Sequence, residues 1–150
     1  MRLRFLLCLA AALATSCGPF PRDPEGTLNR VRSEGRFRVG IVGPANEHGL
    51  DAKAAQLVQR LSSSAGARAI LQHGETEPLL DRLAAGELDL VVGRFEKNSP
   101  WTRLVTFGPP LLVEQQGKTT FHLTAAMRNG ENAWIALIER EARNLAPEAQ

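Results

Sequence analysis

The chain has 150 residues, a length that allows one domain with a modest hydrophobic core. Its 18 Lys and Arg residues are nearly balanced by 16 Asp and Glu residues, and the formal net charge is +2. Because no stripe of basic residues interleaved with aromatic residues is present, nucleic acid is not an expected partner.

Residues 1–16 have the pattern of a secretory signal peptide. Arg2 and Arg4 form a basic start, residues 5–13 form an apolar run, and residues 14–16 (Ala-Thr-Ser) provide a small-residue cleavage site. The apolar run is too short to span a bilayer as a helix. Cleavage would remove both arginines and leave 16 Lys and Arg against 16 Asp and Glu, so we expect a formally neutral mature protein.

Cys17 directly follows the predicted cleavage site. Residues 13–17 (LATSC) resemble a bacterial lipobox, in which the cysteine is diacylated and becomes the first mature residue. Because Cys8 lies in the discarded segment, Cys17 would be the only mature cysteine, which excludes an intramolecular disulfide. The resemblance implies lipidation at Cys17 and a periplasmic lipoprotein anchored to a bacterial membrane by acyl chains. Ordinary signal cleavage near Ser16, which leaves a free thiol, is the alternative.

The segment after the cysteine has the composition of a linker. Residues 18–26 (GPFPRDPEG) contain three prolines and two glycines. We therefore expect residues 17–26 to form the lipidated cysteine and a linker, followed by one folded lobe at residues 27–147.

The folded part begins with a helix, a strand, a second helix and a second strand. Thr27 is predicted to cap a short helix that Gly35 closes, and residues 37–42 read as the first strand. Residues 51–65 carry apolar side chains at i, i+3, i+4, i+7 and i+11, which predicts an amphipathic helix. Residues 67–71 are predicted as the second strand.

The centre of the chain, LLDRLAAGELDLVVG, predicts a helix that leads into a buried strand. Leu79, Leu80 and Leu83 fall at helical spacing, and Gly86 is the residue expected to end the helix. Residues 88–92 form an apolar run too short for another helix, which is typical of a strand buried on both faces.

The last third of the chain predicts a strand pair and a helix. Residues 111–113 and 121–127 are expected to pair around a turn that contains Gly117, and residues 132–145 form an amphipathic helix with Trp134 on its buried face. The alternation of strands and helices predicts an α/β fold of three layers, in which helices cover both faces of a mostly parallel sheet of about five strands.

In such sheets ligands bind in the loops beyond the carboxyl ends of the strands. Here the predicted loops are residues 43–49, 72–75 and 94–103. The polar and aromatic side chains of these loops are the predicted ligand-binding residues: Asn46, Glu47, His73, Glu75, Arg94, Glu96, Trp101 and Arg103.

Trp101 is the most informative aromatic residue of these loops. It could stack on an apolar or cyclic group of a ligand, or anchor a protein contact. The alternative is structural, since Trp101 could fold back on Phe95 and Phe107 and cover the core. For the loop histidines, plain exposure to solvent is the competing interpretation.

Catalytic chemistry has no positive support in the sequence. His48, His73 and His122 lie far apart and form no close ligand pattern, so we predict no metal site and no cofactor. The serine run at residues 62–64 lacks the glycine-flanked turn of a catalytic serine. We therefore predict that the protein is not an enzyme.

Three segments occur in a recognisable order: TLNRVRSEGRFRVGIVG at 27–43, LLDRLAAGELDLVVGRFEKNSPWTRLVTFGPPL at 79–111 and HLTAAMRNGENAWIALIERE at 122–141. Together they resemble the bacterial extracellular solute-binding proteins of the polar amino acid type, the periplasmic receptors of ABC importers. The resemblance implies a lipid-anchored receptor component that binds a small polar solute, such as an amino acid, and delivers it to a transporter permease.

The chain departs from this family in its length. Members of the family have two lobes, and the second is inserted between the hinge strand and the return strand. Here Pro110 and His122 are joined by only eleven residues. The resemblance therefore covers the first lobe only, and a hairpin stands where the second lobe would begin.

A second departure concerns the ligand. In amino acid receptors a Thr-x-x-Arg motif holds the ligand carboxylate through a two-pronged contact. In register from Asp89, those two positions hold Asn98 and Trp101, so this clamp is not carried over, and Arg94 or Arg103 would have to substitute. The alternative function is a single-lobe interaction protein that has lost its ligand and contacts another protein or a second copy of itself.

Overall fold

The computed structural model describes residues 23–43 and 51–149. The predicted signal peptide, Cys17 and the start of the linker therefore lie outside the described residues. Asn46, Glu47 and His48 also lie outside them.

The described residues form four α-helices and six β-strands. Two short 3₁₀ helices lie at Pro100–Arg103 and Pro147–Ala149. In chain order the main elements are α1 (Thr27–Glu34), β1 (Arg36–Val42), α2 (Ala52–Ala65), β2 (Arg68–Gly74), α3 (Thr76–Ala84), β3 (Leu90–Glu96), β4 (Val105–Phe107), β5 (Leu112–Gln116), β6 (Thr119–Arg128) and α4 (Asn132–Leu145).

All six strands belong to one sheet with the order β2-β1-β3-β6-β4, and β5 also pairs with β6. Strand β1 lies parallel to both β2 and β3, whereas β6 is antiparallel to β3, β4 and β5. The predicted three-layer α/β fold is confirmed, with six strands instead of about five and with the parallel pairs in the half that precedes β4. Strand β5 is antiparallel to β6 because the two-residue turn between them can join only antiparallel neighbours.

Two apolar cores lie on the two faces of this sheet. The larger core is shared by α1, α2 and α4, and it confirms the buried position of Trp134, which is 1% exposed. The ring of Trp134 meets that of Phe37 edge to face at 5.5 Å, and its Nε1 donates to the Asp89 carbonyl oxygen at 2.7 Å. The smaller core lies under α3, whose predicted apolar face is buried.

Local sequence signals mark several helix ends, but the cap predicted at Thr27 is wrong, because Gly26 holds the cap position and Thr27 is the first residue of α1. The Asp51 carboxylate accepts a hydrogen bond from the Lys53 amide at the start of α2, and Gly66 ends that helix at φ 66°. Gly86 follows α3 at φ 77°, where a side chain would also be crowded because a Cβ would lie 2.7 Å from Arg128 Nη1. These signals explain why the predicted helices fall within about two residues of the observed ones.

The segment where related receptors would continue into a second lobe is a closed hairpin. Strands β4 and β5 lie end to end along β6, and between them the Gly108 and Leu111 amides donate to the carbonyl oxygens of Ala125 and Leu123, each at 2.8 Å. Strands β5 and β6 are joined by a two-residue turn whose first residue, Gly117, has φ 61°. The predicted pairing is confirmed, and it brings together the two segments that flank the connector.

Across residues 23–43 and 51–149, none of the helices combines the length and the apolar character that crossing a bilayer requires.

Candidate functional site

The carboxyl ends of β1, β2 and β3 meet at one side of the sheet, which we call the carboxyl edge. Strands β1 and β2 end level, with Val42 paired to Gly74, and the Gly43 amide donates to the Gly74 carbonyl oxygen at 3.0 Å. Strand β3 continues beyond its last partner in β1 and runs on to Glu96 beside β6. The edge is therefore stepped, and β3 and the hairpin project past the other two strands.

His73 and Glu75 lie at the β2 side of this edge. The sequence placed both in a loop, but His73 belongs to β2, where it pairs with Ile41, and only Glu75 lies outside the strand, at the cap position of α3. The loop prediction was wrong for His73 because the parallel ladder with β1 continues past the apolar run that defined the predicted strand. Both residues are exposed.

Arg94 and Glu96 are also strand residues and not loop residues. Both belong to β3, where Arg94 pairs with Leu123 of β6 and Glu96 pairs with Phe121. The predicted loop began too early, because strand pairing with β6 extends β3 by four residues beyond its apolar run. Alternation then directs the two polar side chains to the same face of the sheet.

The Arg94 guanidinium is held by two acidic side chains of the protein. Its Nε donates to Glu114 Oε2 at 2.9 Å, and its Nη2 donates to Glu114 Oε1 at 3.3 Å and to Asp51 Oδ2 at 3.1 Å. The hydrogen bond with Glu114 is the main reason that the pKa of Arg94 is raised. A ligand carboxylate would have to compete with these partners. Sequence reasoning missed Asp51 and Glu114 because nothing local to either residue shows that it faces Arg94.

Trp101 and Arg103 lie on the 3₁₀ helix that follows β3. The Ser99 hydroxyl caps this helix by accepting from the Trp101 amide at 3.4 Å. The Trp101 ring is partly buried against the smaller core, where the rings of Phe95 and Phe107 lie 4.9 Å apart. One side of the Trp101 ring therefore covers the core beside Phe95 and Phe107, as the structural interpretation predicted.

An open, mainly apolar depression of about 330 Å³ lies beside Trp101. It is lined by Pro100, Trp101, Arg103 and Leu104, and Leu104 is 54% exposed. The Arg103 side chain is exposed and makes no ion pair with any described residue. The six described candidates therefore fall into three groups: His73 with Glu75, Arg94 with Glu96, and Trp101 with Arg103.

The opposite side of the sheet, the amino edge, carries a buried carboxylate that sequence reasoning did not single out. The Asp89 side chain is 2% exposed and accepts hydrogen bonds from the Arg38 amide at 2.7 Å, from Arg38 Nη2 at 2.8 Å and from Arg30. Burial opposes its ionisation, but these hydrogen bonds prevail and hold the pKa of Asp89 below its ordinary value. Asp89 joins α1, β1 and the start of β3.

A second buried carboxylate on the amino edge caps two helices together with Asp23. Glu131 is 1% exposed and accepts from the Thr27 amide at 2.8 Å, at the start of α1, while Asp23 accepts from the Ala133 amide at 2.7 Å, at the start of α4. Burial acts against ionisation of Glu131, but the Thr27 and Glu25 hydrogen bonds outweigh it and lower the pKa. Residues 23–26 of the predicted linker are thereby attached to the lobe.

The residues that the structure describes contain no group of three or more side chains placed to hold a metal ion.

Solved structures with the same architecture exist. The arginine-bound form of domain 1 from TmArgBP matches with a TM-score of 0.66 at 15% identity, over 77% of this chain and 98% of that chain. This chain folds as a single lobe of a solute-binding protein. The match with an isolated first domain over nearly its whole length agrees with the predicted loss of the second lobe.

Two other solute-binding proteins share the fold of this lobe. An ancestral cationic amino acid solute-binding protein, AncCDT-1, matches at 10% identity with a TM-score of 0.67, over 81% of this chain and 94% of that chain. The amino acid ABC transporter substrate-binding protein AbpA from Streptococcus pneumoniae, bound to L-arginine, matches at 8% identity with a TM-score of 0.64, over 78% and 91%. At these identities the likeness shows the fold of the lobe and not its ligand.

No family model matches this sequence, and no curated protein matches it.

Proposed function

We propose that this lobe is the receptor component of a solute-uptake system in the bacterial periplasm, anchored to the membrane through Cys17. In this proposal it binds a small polar solute at the carboxyl edge and passes it to an ABC transporter permease. The observation that carries the proposal is the match over nearly the whole of domain 1 of an arginine-bound protein. The named neighbours are binding proteins and not enzymes, which supports a role in binding.

The charges at the carboxyl edge favour a cationic solute group over a carboxylate. Arg94 is already held by Glu114 and Asp51, whereas Glu75 and Glu96 are exposed and form no ion pair within the described part of the chain. A protein carboxylate binds a guanidinium or ammonium group through charge-assisted hydrogen bonds. The apolar surface of Trp101 is available for the carbon chain of such a solute.

A thermal-shift series with solutes of defined charge tests this proposal. We expect arginine and agmatine, which has the same guanidinium but no carboxylate, to raise the unfolding temperature, and glutamate to leave it unchanged. A ligand present at a hundred times its dissociation constant adds about 2.7 kcal/mol to the free energy of unfolding.

Matched variants show whether the shift comes from this edge. Glu75→Gln combined with Glu96→Gln should abolish the shift with agmatine. Asp81→Asn combined with Glu139→Gln makes the same charge change on α3 and α4, away from the edge, and should preserve it. Flat curves with every solute, or equal losses in both double variants, would contradict solute binding here.

The apolar depression beside Trp101 favours a second candidate function, association with a second copy of the chain. Leu104 is more than half exposed, and it adjoins Trp101 in a surface that is mainly apolar. If this surface joins two copies, Leu104→Asp should shift the protein from dimer to monomer in light scattering. Leu71→Asp is the control, since Leu71 is 46% exposed on the edge strand β2. A monomer at every concentration would contradict this candidate.

A further inference from the structure

An open depression of about 640 Å³ lies at the amino edge, on the side of the sheet away from the proposed solute site. Three arginines line it, Arg30, Arg36 and Arg38, together with Ile70 and Gln72 of the edge strand β2. Its volume is within the range of small-molecule sites. Helix α3 packs on β1 and β3 of this face and reaches the outer strand β2 through Arg82 and Gln72, whereas Arg68 at the start of β2 is exposed.

Two arginines stand side by side at this depression: Arg36 lines it, and Arg68 adjoins it on the same face of the sheet. Arg36 of β1 is the direct register partner of Arg68 of β2, and Arg68 shares the face of Ile70 because side chains alternate along a strand. The Arg36 side chain is 65% exposed, and its acidic neighbour is Glu34 at 3.4 Å. The Arg68 side chain forms no hydrogen bond or ion pair with the described residues. Like charges placed opposite each other on a sheet are unfavourable unless a counter-charge lies between them.

The other charges around the depression do not cancel this excess. Arg30 and Arg38 share the carboxylate of Asp89. Glu34 and Glu87 are further acidic groups near Arg38, and Glu87 is paired with Arg82. With Arg36, Arg68 and Arg82 included, five guanidinium groups therefore face three carboxylates. The local charge is about +2, and it is concentrated on a concave surface, where it attracts anions most strongly.

Gln72 adds a neutral donor to this set. Its Oε1 accepts from Arg82 Nη2 at 2.8 Å, which fixes the side-chain amide and leaves its N–H groups available to the depression. Apart from Glu34, the polar side chains that line the depression are guanidinium and amide groups, which present N–H donors. This chemistry fits an oxyanion, and guanidinium groups bind phosphate oxygens in a two-pronged geometry.

We propose that the depression at the amino edge binds a phosphate group, held by Arg36, Arg68 and Gln72. The buried Asp89 network keeps Arg30 and Arg38 in place behind these residues and supplies part of the positive charge. The arginines of this site lie at the opposite strand ends from the proposed solute site, and Gln72 points to the other face of the sheet from its neighbour His73.

The phosphate could belong to a soluble ester or to a phospholipid headgroup. Asp23, six residues after Cys17, accepts a hydrogen bond from the Ala133 amide at the start of α4, on this same edge. Six residues span at most about 20 Å. The acyl anchor that we propose at Cys17 would therefore hold the amino edge close to the bilayer surface.

Binding experiments with two kinds of probe test the proposal and distinguish the sources. The chain carrying Cys17→Ala is used, so that no acyl anchor contributes. Calorimetry with glycerol 3-phosphate and pyrophosphate measures soluble phosphate. Cosedimentation with vesicles of phosphatidylglycerol, against vesicles of phosphatidylcholine alone, measures the headgroup.

Two double variants decide whether the arginines of the depression are responsible. Arg36→Gln with Arg68→Gln should weaken binding at least about tenfold, because two charge-assisted contacts are lost. Arg32→Gln with Arg60→Gln removes the same charge from exposed positions on α1 and α2 and should change binding less than about twofold. Circular dichroism melting of both variants checks that the fold is retained.

Each outcome bears on the proposal. Binding of glycerol 3-phosphate or pyrophosphate that is lost in the first variant identifies a soluble phosphate ester. Binding to phosphatidylglycerol vesicles alone, lost in the same variant, identifies a headgroup. No binding of any probe, or equal weakening in both double variants, overturns the proposal and leaves the solute site at the carboxyl edge untouched.

Discussion

The two edges of the sheet use charge in different ways. At the amino edge, Asp89 and Glu131 are almost completely buried and each accepts several hydrogen bonds. At the carboxyl edge, Arg94 and Glu114 form an ion pair whose side chains are 45% and 30% exposed. A buried charge must be satisfied by the fold itself, whereas an exposed pair can exchange its partner for water or a ligand. The comparison indicates that the amino-edge carboxylates hold the lobe together, whereas the charged groups of the carboxyl edge stay in contact with solvent.

Removal of the Asp89 charge should have the largest effect. In Asp89→Asn, Arg38 and Arg30 lose a shared carboxylate, and we expect the free energy of unfolding to fall by about 3 kcal/mol. Urea denaturation followed by circular dichroism measures this loss. Asp81→Asn, at an exposed position of α3, is the control. A loss of less than about 1 kcal/mol would show that the buried network is no stronger than a surface pair.

Packing, in contrast to charge, should be the sensitive feature of the carboxyl edge. A Cβ at Gly93 would lie 2.5 Å from Val42 Cγ2 and 2.6 Å from Val42 Cβ, and Val42 is branched at that carbon and cannot turn away. We expect Gly93→Ala to cost about 2 kcal/mol by overpacking. Gly117→Ala is the control. No atom lies within 4 Å of the added carbon at Gly117, so a loss of stability in that variant comes from backbone strain and not from crowding. An unchanged urea midpoint for Gly93→Ala would contradict the prediction.

The two buried carboxylates also predict sensitivity to acid. The pKa values of Asp89 and Glu131 are lowered in the folded lobe, while in the unfolded chain such groups titrate near pH 4. As the pH falls below about 5, the unfolded chain takes up protons first, so stability decreases and the contribution is lost once the folded groups are protonated. Urea midpoints between pH 7 and pH 3 should fall steadily. The fall should be shallower in Asp89→Asn, and an equal slope in both proteins would assign it to other carboxylates.

Loss of the Arg94 charge should have the smallest effect on stability. Because the partners of Arg94 are partly exposed, we expect Arg94→Gln to change the free energy of unfolding by less than about 1 kcal/mol, and by less still at high salt. The same urea experiment at two salt concentrations measures this difference. If Arg94→Gln lowered the free energy of unfolding as much as Asp89→Asn does, the charges of the two edges would not differ in their contribution to stability.

Local patterns in the sequence were sufficient for much of the scaffold. The apolar spacing of α2 and α4, the buried strand β3 and the position of Trp134 were predicted because each depends on residues close in the chain. The order of the three family-like segments indicated a first lobe, and the short connector indicated the missing second one. The fold comparison agrees with both.

Only the tertiary structure decided which charged groups meet. Arg94 contacts Asp51 and Glu114, which lie 43 and 20 residues away in the chain, and Glu131 reaches Thr27 across 104 residues. The lengths of β2 and β3 were also set by their ladders, since hydrogen bonding to β1 and β6 extends both strands into polar sequence. A local pattern reports which faces are apolar. The pairing of ions and strands depends on how distant segments approach each other, and that information appears only when the sheet is assembled.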